Sequence, residues 1–220
     1  MKKDIDRSNL RDQIYTILKK SIILREIKPG EKINEEKIAK TLSVSRTPIR
    51  ETLLRLEHEG IVKIIPRRGA FVVSQSKAEV MEILQVREVL EGLVARLATE
   101  NMDDGHLERL RDCLKRISAS QHDKDRLLKY TPADVEFHGL LLQACNNNLL
   151  KNMMEIVNAH LQMVRLRTVL LPGRPEQTVK EHYNILEAIE KGDAPAAERQ
   201  MRRHVESVRK DALKNIDLME

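Results

Sequence analysis

Between Gly60 and Val73 the spacing of apolar residues changes from the period of a helix to that of a strand, whereas the segments before and after keep the helical period. Residues 61–65 and 70–73 are short apolar runs, separated by Pro66-Arg67-Arg68-Gly69. Pro and Gly between two such runs read as a hairpin, here with two arginines at its tip. One small hairpin in a chain of helices makes the fold class mainly α. Aromatic residues are only 2% and Trp is absent. A sandwich or barrel is short of the residues it packs with, and an RNA-binding sheet is short of rings on which to stack bases.

Three helices lead up to the hairpin. Leu10, Ile14, Ile17 and Leu18 share a face, so residues 7–24 read as the first. Lys28-Pro29-Gly30 punctuates the approach to the second, which Asn34 can cap and which carries Ile38 and Leu42 four apart on its inner face. Ser43-Val44-Ser45 then makes a tight turn, and the third helix has Pro48 in its first turn, where no N–H is needed. Leu53, Leu56 and the neighbouring Leu54 are expected to form its buried face, with Gly60 as a left-handed stop. Three helices and a hairpin describe a winged helix-turn-helix domain over residues 1–75, whose third helix would enter a major groove.

Charge divides with the chain. Residues 1–76 hold 17 Lys/Arg against 10 Asp/Glu, a net of +7, and the remainder holds 22 against 24, a net of −2. A basic head on a near-neutral body points to a polyanionic partner for the head. Ser45, Arg46, Thr47 and Arg50 crowd the start of the third helix. Arginine forks onto guanine O6 and N7, Ser and Thr bind phosphate or base, and helix N-termini attract phosphate. The competing arrangement pairs Arg46 and Arg50 with Glu51 or Glu57 on a solvated face. The basic hairpin favours double-stranded DNA.

The stretch PGEKINEEKIAKTLSVSRTPIRETLLRLEHEGIVKIIPRRGAFV, from Pro29 to Val72, resembles the DNA-binding domain of GntR-type bacterial regulators. The resemblance rests on the VSRTPIRE run, the LRLEHEGIV run and the PRRGAFV wing. It implies operator contacts by Ser45, Arg46, Thr47 and Arg50, with Arg67, Arg68 and Gly69 at the wing.

Residues 76–220 read as an all-α antiparallel bundle of six helices, near 77–100, 103–120, 124–145, 148–170, 175–191 and 193–216. Asp103-Asp104-Gly105, Asn146-Asn147-Asn148, Leu171-Pro172-Gly173 and Gly192-Asp193 mark four joints. Cys113 and Cys145 lack CxxC spacing and are expected as buried apolar residues in a reducing compartment. No run approaches the ~20 apolar residues of a membrane span, and the charged start has no export core, so a cytoplasmic location is expected.

Several polar residues fall on apolar faces of this bundle. Asp134 and His138 stand four apart on a face with Val135, Leu141, Leu142 and Cys145. His182 and His204 share apolar spacing with Val179, Leu186 and Ile189 and with Met201 and Val208. His160 is also expected inward, near Ile156, Val157 and Val164, and periodicity does not choose among the four histidines. A carboxylate and three imidazoles from three helices suit Zn²⁺, Ni²⁺ or Mn²⁺, while a lone inward His is more often a hydrogen-bonded core residue.

The segments DVEFHGLLLQACNN, EHYNILEAIEKGD and MRRHV resemble the ligand-binding half of the FadR subgroup of these regulators, the FCD domain. Six helices correspond to its VanR-like branch. The resemblance implies a divalent transition metal held by Asp134, His138, His182 and His204, with His160 left as a pocket or core residue. It also implies that Arg87, within QVREVLEGLVARLA, faces an effector pocket, with Arg165 as a further candidate. The competing role for Arg87 is an ion pair with Glu91 at i,i+4. The expected function is a homodimeric repressor or activator that reads an inverted-repeat operator. Its effector would be a small carboxylate, one end on the metal and another reaching Arg87.

Two rival readings remain at this point. The adjacent His122-Asp123 pair could serve a metal-dependent phosphohydrolase, although it falls in a polar joint. Alternatively, the bundle serves only to dimerise, and its histidines are core residues.

Overall fold

A computed structural model describes residues 10–123 and 126–214. The expected helical residues 7–9, 124–125 and 215–216 lie outside the described residues. The chain divides into two compact units, Met1–Gln75 and Ser76–Glu220.

The first unit contains α1 (Leu10–Ile23), α2 (Glu35–Leu42), α3 (Arg46–His58), β1 (Val62–Ile65) and β2 (Gly69–Val72). Asn34 caps α2 by accepting from the Lys37 N–H at 2.9 Å. Helix α3 packs on α1, α2 and β1 through Ile49, Thr52, Leu53 and Leu56. Leu54, expected on that buried face, is 57% exposed. The inward stripe runs 49, 52/53, 56, and a residue one step from Leu53 is turned about 100° away. Tyr15 of α1 fixes the far end of α3, its hydroxyl donating to Glu59 at 2.7 Å and its ring lying 3.7 Å from the Arg55 guanidinium.

The two strands pair antiparallel from Val62↔Val72 to Ile65↔Gly69. The connecting turn puts Arg67 at φ 61° and Gly69 at φ 102°. Gly69 is required there, because a Cβ would strain the backbone and come within 3.1 Å of the Lys32 side chain. The segment before α2 runs along the other edge of β2, through Gly30 N–H to Val72 O at 3.0 Å and Ile33 N–H to Ala70 O at 2.8 Å. The wing is thereby held on both edges of β2.

The second unit contains α4 (Lys77–Asn101), α5 (Asp104–Ser120), α6 (Arg126–Ala144), α7 (Asn148–Thr168), α8 (Arg174–Glu190) and α9 (Ala194–Lys214). Ser76 and Glu79 form a capping box at the start of α4. Helix α4 packs against α6, α7, α8 and most extensively α9, while α5 packs on α6 and α8. At Gly92 of α4, a Cβ would meet Arg202 of α9 at 2.7 Å, so the absence of a side chain sets that approach. Leu84, Leu110, Leu114, Phe137, Leu141 and Ile185 are among the fully enclosed core residues. Cys113 and Cys145 are free and buried. No helix among the described residues is long and apolar enough to cross a membrane.

Candidate functional site

In the first unit, Ser45, Arg46, Thr47 and Arg50 are exposed at the start of α3. Ser45 occupies the cap position but its hydroxyl makes no capping bond. Arg67 and Arg68 are exposed on the wing, with Gly69 half-buried behind them. A groove of ≈ 700 Å³ joins the two groups, lined by Arg46 and Arg50 on one side and by residues Ile64–Gly69 on the other. Arg46 pairs with Glu36 at 3.1 Å and Arg50 with Glu35 at 2.9 Å. The alternative partners are engaged elsewhere, Glu51 by Arg11 at 2.7 Å and Glu57 by the Ile64 N–H at 2.7 Å.

In the second unit, α6, α8 and α9 bring together His138, His182 and His204. One ring nitrogen from each lies within 4.8 Å of the others. All three are buried, His182 completely. Phe137 stacks on the His182 ring at 4.1 Å and fixes its plane. Carboxylates hold the outer nitrogens of the other two. His138 Nδ1 donates to Glu91 at 2.6 Å and His204 Nδ1 to Glu181 at 2.7 Å. A carboxylate accepts only, so each Nδ1 carries a proton and Nε2 is the nitrogen left to face the cluster. This is the arrangement that orients metal-binding imidazoles. Among the described residues, neither nitrogen of His182 has a hydrogen-bond partner. Asp134 stands beside the trio, its Oδ1 3.9 Å from His182 Nε2. Burial first, then the neighbouring imidazoles, pushes His182 well below its usual range and His204 likewise, so both rings are neutral, the form that coordinates a cation.

His160 does not join this group. It is exposed, with Nδ1 2.9 Å from the Ile156 carbonyl, and Ile156 is itself 67% exposed. The inward face of α7 is that of Met154, Val157, Leu161 and Val164.

Arg87 stands against the cluster. It donates from Nε to Glu91 at 3.0 Å, forming the i,i+4 pair, and its Nη2 lies 3.3 Å from His138 Nε2. Burial tends to raise the Glu91 carboxyl, but His138 and Arg87 hold it well below the ordinary range. Beside the cluster is a cavity of ≈ 30 Å³, lined by Arg87, Asp134, His204, Arg165, Tyr130 and Arg174 among others. Arg174 is engaged through all three of its nitrogens by Thr178, Ser207, Asp211 and Glu181. Among the described residues, Arg165 donates only to Asn158, at 2.9 Å, and its buried Nε is unpartnered.

Sequence reasoning missed Tyr130, Thr178 and Arg174, and saw Glu91 only as a partner for Arg87. The signal was present: Tyr130, Asp134 and His138 follow one another at i,i+4, as do Arg174, Thr178 and His182. Glu181 carried no such signal, since its contact with His204 joins two helices. His122 and Asp123 face separate surface partners, Glu176 at 3.1 Å and Lys129 at 2.6 Å.

A basic winged head and a helical unit with a polar, imidazole-lined interior define a ligand-responsive class of DNA-binding regulator. Residues 10–72 match the bacterial regulatory proteins of the gntR family and residues 82–207 match the FCD domain. The chain is 33% identical over 192 residues to the helix-turn-helix transcriptional regulator YdhC of Bacillus subtilis, covering 87% of this chain and 86% of that protein. It is 31% identical over 214 residues to the transcriptional repressor RspR of Escherichia coli, covering 94% and 92%. Escherichia coli McbR/YncC shares the fold at a TM-score of 0.62 and 22% identity, over 95% of this chain and 96% of that one. The protein belongs to the GntR family of bacterial transcriptional regulators, with an FCD domain following its helix-turn-helix domain.

Proposed function

We propose that the protein is a homodimeric regulator whose affinity for an inverted-repeat operator is set by a small carboxylate bound at a metal centre in the FCD domain. The observation that carries this is His182. A core histidine hydrogen-bonds at least one ring nitrogen, whereas His182 is fully buried and bonds neither. With His138 and His204 beside it and carboxylates behind those two rings, the donor set fits a divalent ion such as Zn²⁺, Ni²⁺ or Mn²⁺. Asp134 would complete the ligand set. The ion, when bound, supplies a Lewis-acid position for a carboxylate.

The role of Arg87 follows from its position. A cation and the Arg87 guanidinium compete for the lone pair of His138 Nε2. A carboxylate between them is attracted by both, so Arg87 would grip the same end of the effector as the ion does. The hydrolase reading loses its His122-Asp123 pair, and the matched families are transcriptional regulators.

Dimerisation is supported by two outward apolar stripes on helices that pack together, Val86, Val89 and Leu93 of α4 and Leu149, Met153 and Ile156 of α7. A second copy of the chain covers such a face and reads the second half-site.

The test is linkage. Operator DNA selected from a random pool is titrated with metal-loaded and chelated protein, each with and without a panel of small organic acids. An acid should shift operator affinity by roughly 5- to 150-fold in loaded protein. Chelated protein should bind the operator yet ignore the acid. An equal response in both forms contradicts the reading.

A further inference from the structure

The three buried arginines around the cavity are not equally compensated. Arg87 has Glu91, and Arg174 has Glu181 and Asp211. Arg165 is 6% exposed and forms no ion pair with a described residue; its one acceptor among them is the neutral Asn158 side chain. Burial, and then Arg87, pulls its pKa down to about 10, so it remains charged at neutral pH.

Other unspent donors collect on the same cavity. Among the described residues, Thr131 Oγ1 and Arg165 Nε are buried without a hydrogen-bond partner, and Tyr130 Oη is buried beside the Thr178 hydroxyl with no acceptor for its own proton; all three residues line the cavity. Burial, then the Asp134 carboxylate, holds the Tyr130 phenol far above its ordinary range, so it is a donor. A carboxylate offers about four acceptor positions and a full negative charge. Water would satisfy the hydroxyls but would give the guanidinium no direct ion pair, since Glu91 and Asp134 act on it only from a distance. A neutral effector end would do the same.

We propose that the cavity takes an effector with two acidic groups, one at the imidazole cluster and Arg87, the other on Arg165 with the Tyr130 and Thr131 hydroxyls. This rests on the carboxylate reading above and narrows it to dicarboxylates or comparable dianions. At ≈ 30 Å³ the cavity holds one or two waters, so such a ligand enters as the long side chains of Arg87 and Arg165 turn aside.

The experiment is calorimetric titration of metal-loaded, full-length protein. The probes are malonate, succinate and glutarate, each against the monocarboxylate of equal carbon number: propanoate, butanoate and pentanoate. One diacid should bind about ten- to hundred-fold more tightly than its monoacid, the factor that one charge-assisted pair supplies. Arg165→Met should reduce that ratio to near one while leaving monoacid affinity and metal content unchanged. Tyr130→Phe should reduce it partly, and serves if the first variant does not fold. Ligand-free Arg165→Met should also melt at a higher temperature than the parent, because an unpaired buried charge is gone. A lower melting temperature would make Arg165 structural and overturn the proposal. Equal affinity for diacid and monoacid in every pair would overturn it while sparing the carboxylate reading. Binding of neither acid would remove both.

Discussion

Arg46 and Arg50 have acidic partners, Glu36 and Glu35, which the proposed operator contacts would displace. Exposed pairs of this kind contribute only about 0–1 kcal/mol, whereas a bidentate arginine–guanine contact discriminates by about 1–3 kcal/mol. On the proposed operator contacts, the base contact therefore outweighs the ion pair. Arg50→Ala should cost about 1–3 kcal/mol on the operator and relax preference at one base position. Arg68→Ala, on the wing, should lower the slope of log affinity against log salt by about one unit per site and leave preference intact. Anisotropy titrations across a salt series and a set of single-base variants measure both. A uniform loss on all sequences for Arg50→Ala would make it a phosphate contact instead. At this scale the sequence was most informative where chemistry and spacing coincide. His138, His182 and His204 were legible as inward residues because each interrupts an apolar stripe, but the same spacing applies to His160, and only the family resemblance separates it from them. Glu181 was not legible, because only the packing of α9 on α8 brings it to His204.

Helix boundaries followed from capping residues and breakers, and the six helices of the second unit begin and end within two residues of their expected limits wherever those limits are described. What spacing does not reveal is which of two apolar faces turns inward. Helix α7 has one stripe through Met154, Val157 and Leu161 and another through Leu149, Met153 and Ile156, and only the first is buried. Residue Ile156 drew His160 onto the wrong side. In α3 the run Leu53-Leu54 poses the same question, and tertiary packing answers for Leu53. Leu53→Ala should destabilise the first unit by about 2–5 kcal/mol, through lost burial and the cavity left behind. Leu54→Ala should change it by no more than about 0.5 kcal/mol. Hydrogen exchange at α3 amides reports the unit separately from the bundle. Comparable losses for the two would contradict the assigned face.

For the molecule as a whole, the proposed function requires that one chain carry an operator-reading head and a sensing bundle, and that two chains act together. Met153→Glu places a charge in the outward stripe of α7, where Met153 is 46% exposed, so the fold should tolerate it. Sedimentation should find this variant dissociating at concentrations where the parent is dimeric, with weaker operator binding because one half-site is lost. An unchanged dimer would move the interface elsewhere. The regulatory account depends first on the imidazole cluster being a metal centre. The most direct test is elemental analysis of the reconstituted full-length protein beside its His182→Ala, His204→Ala and His160→Ala variants. The account predicts about one divalent transition metal per chain, lost or much reduced in the first two variants and retained in the third, whose side chain is exposed. Absence of metal from the reconstituted parent, or equal loss from all three variants, would contradict it.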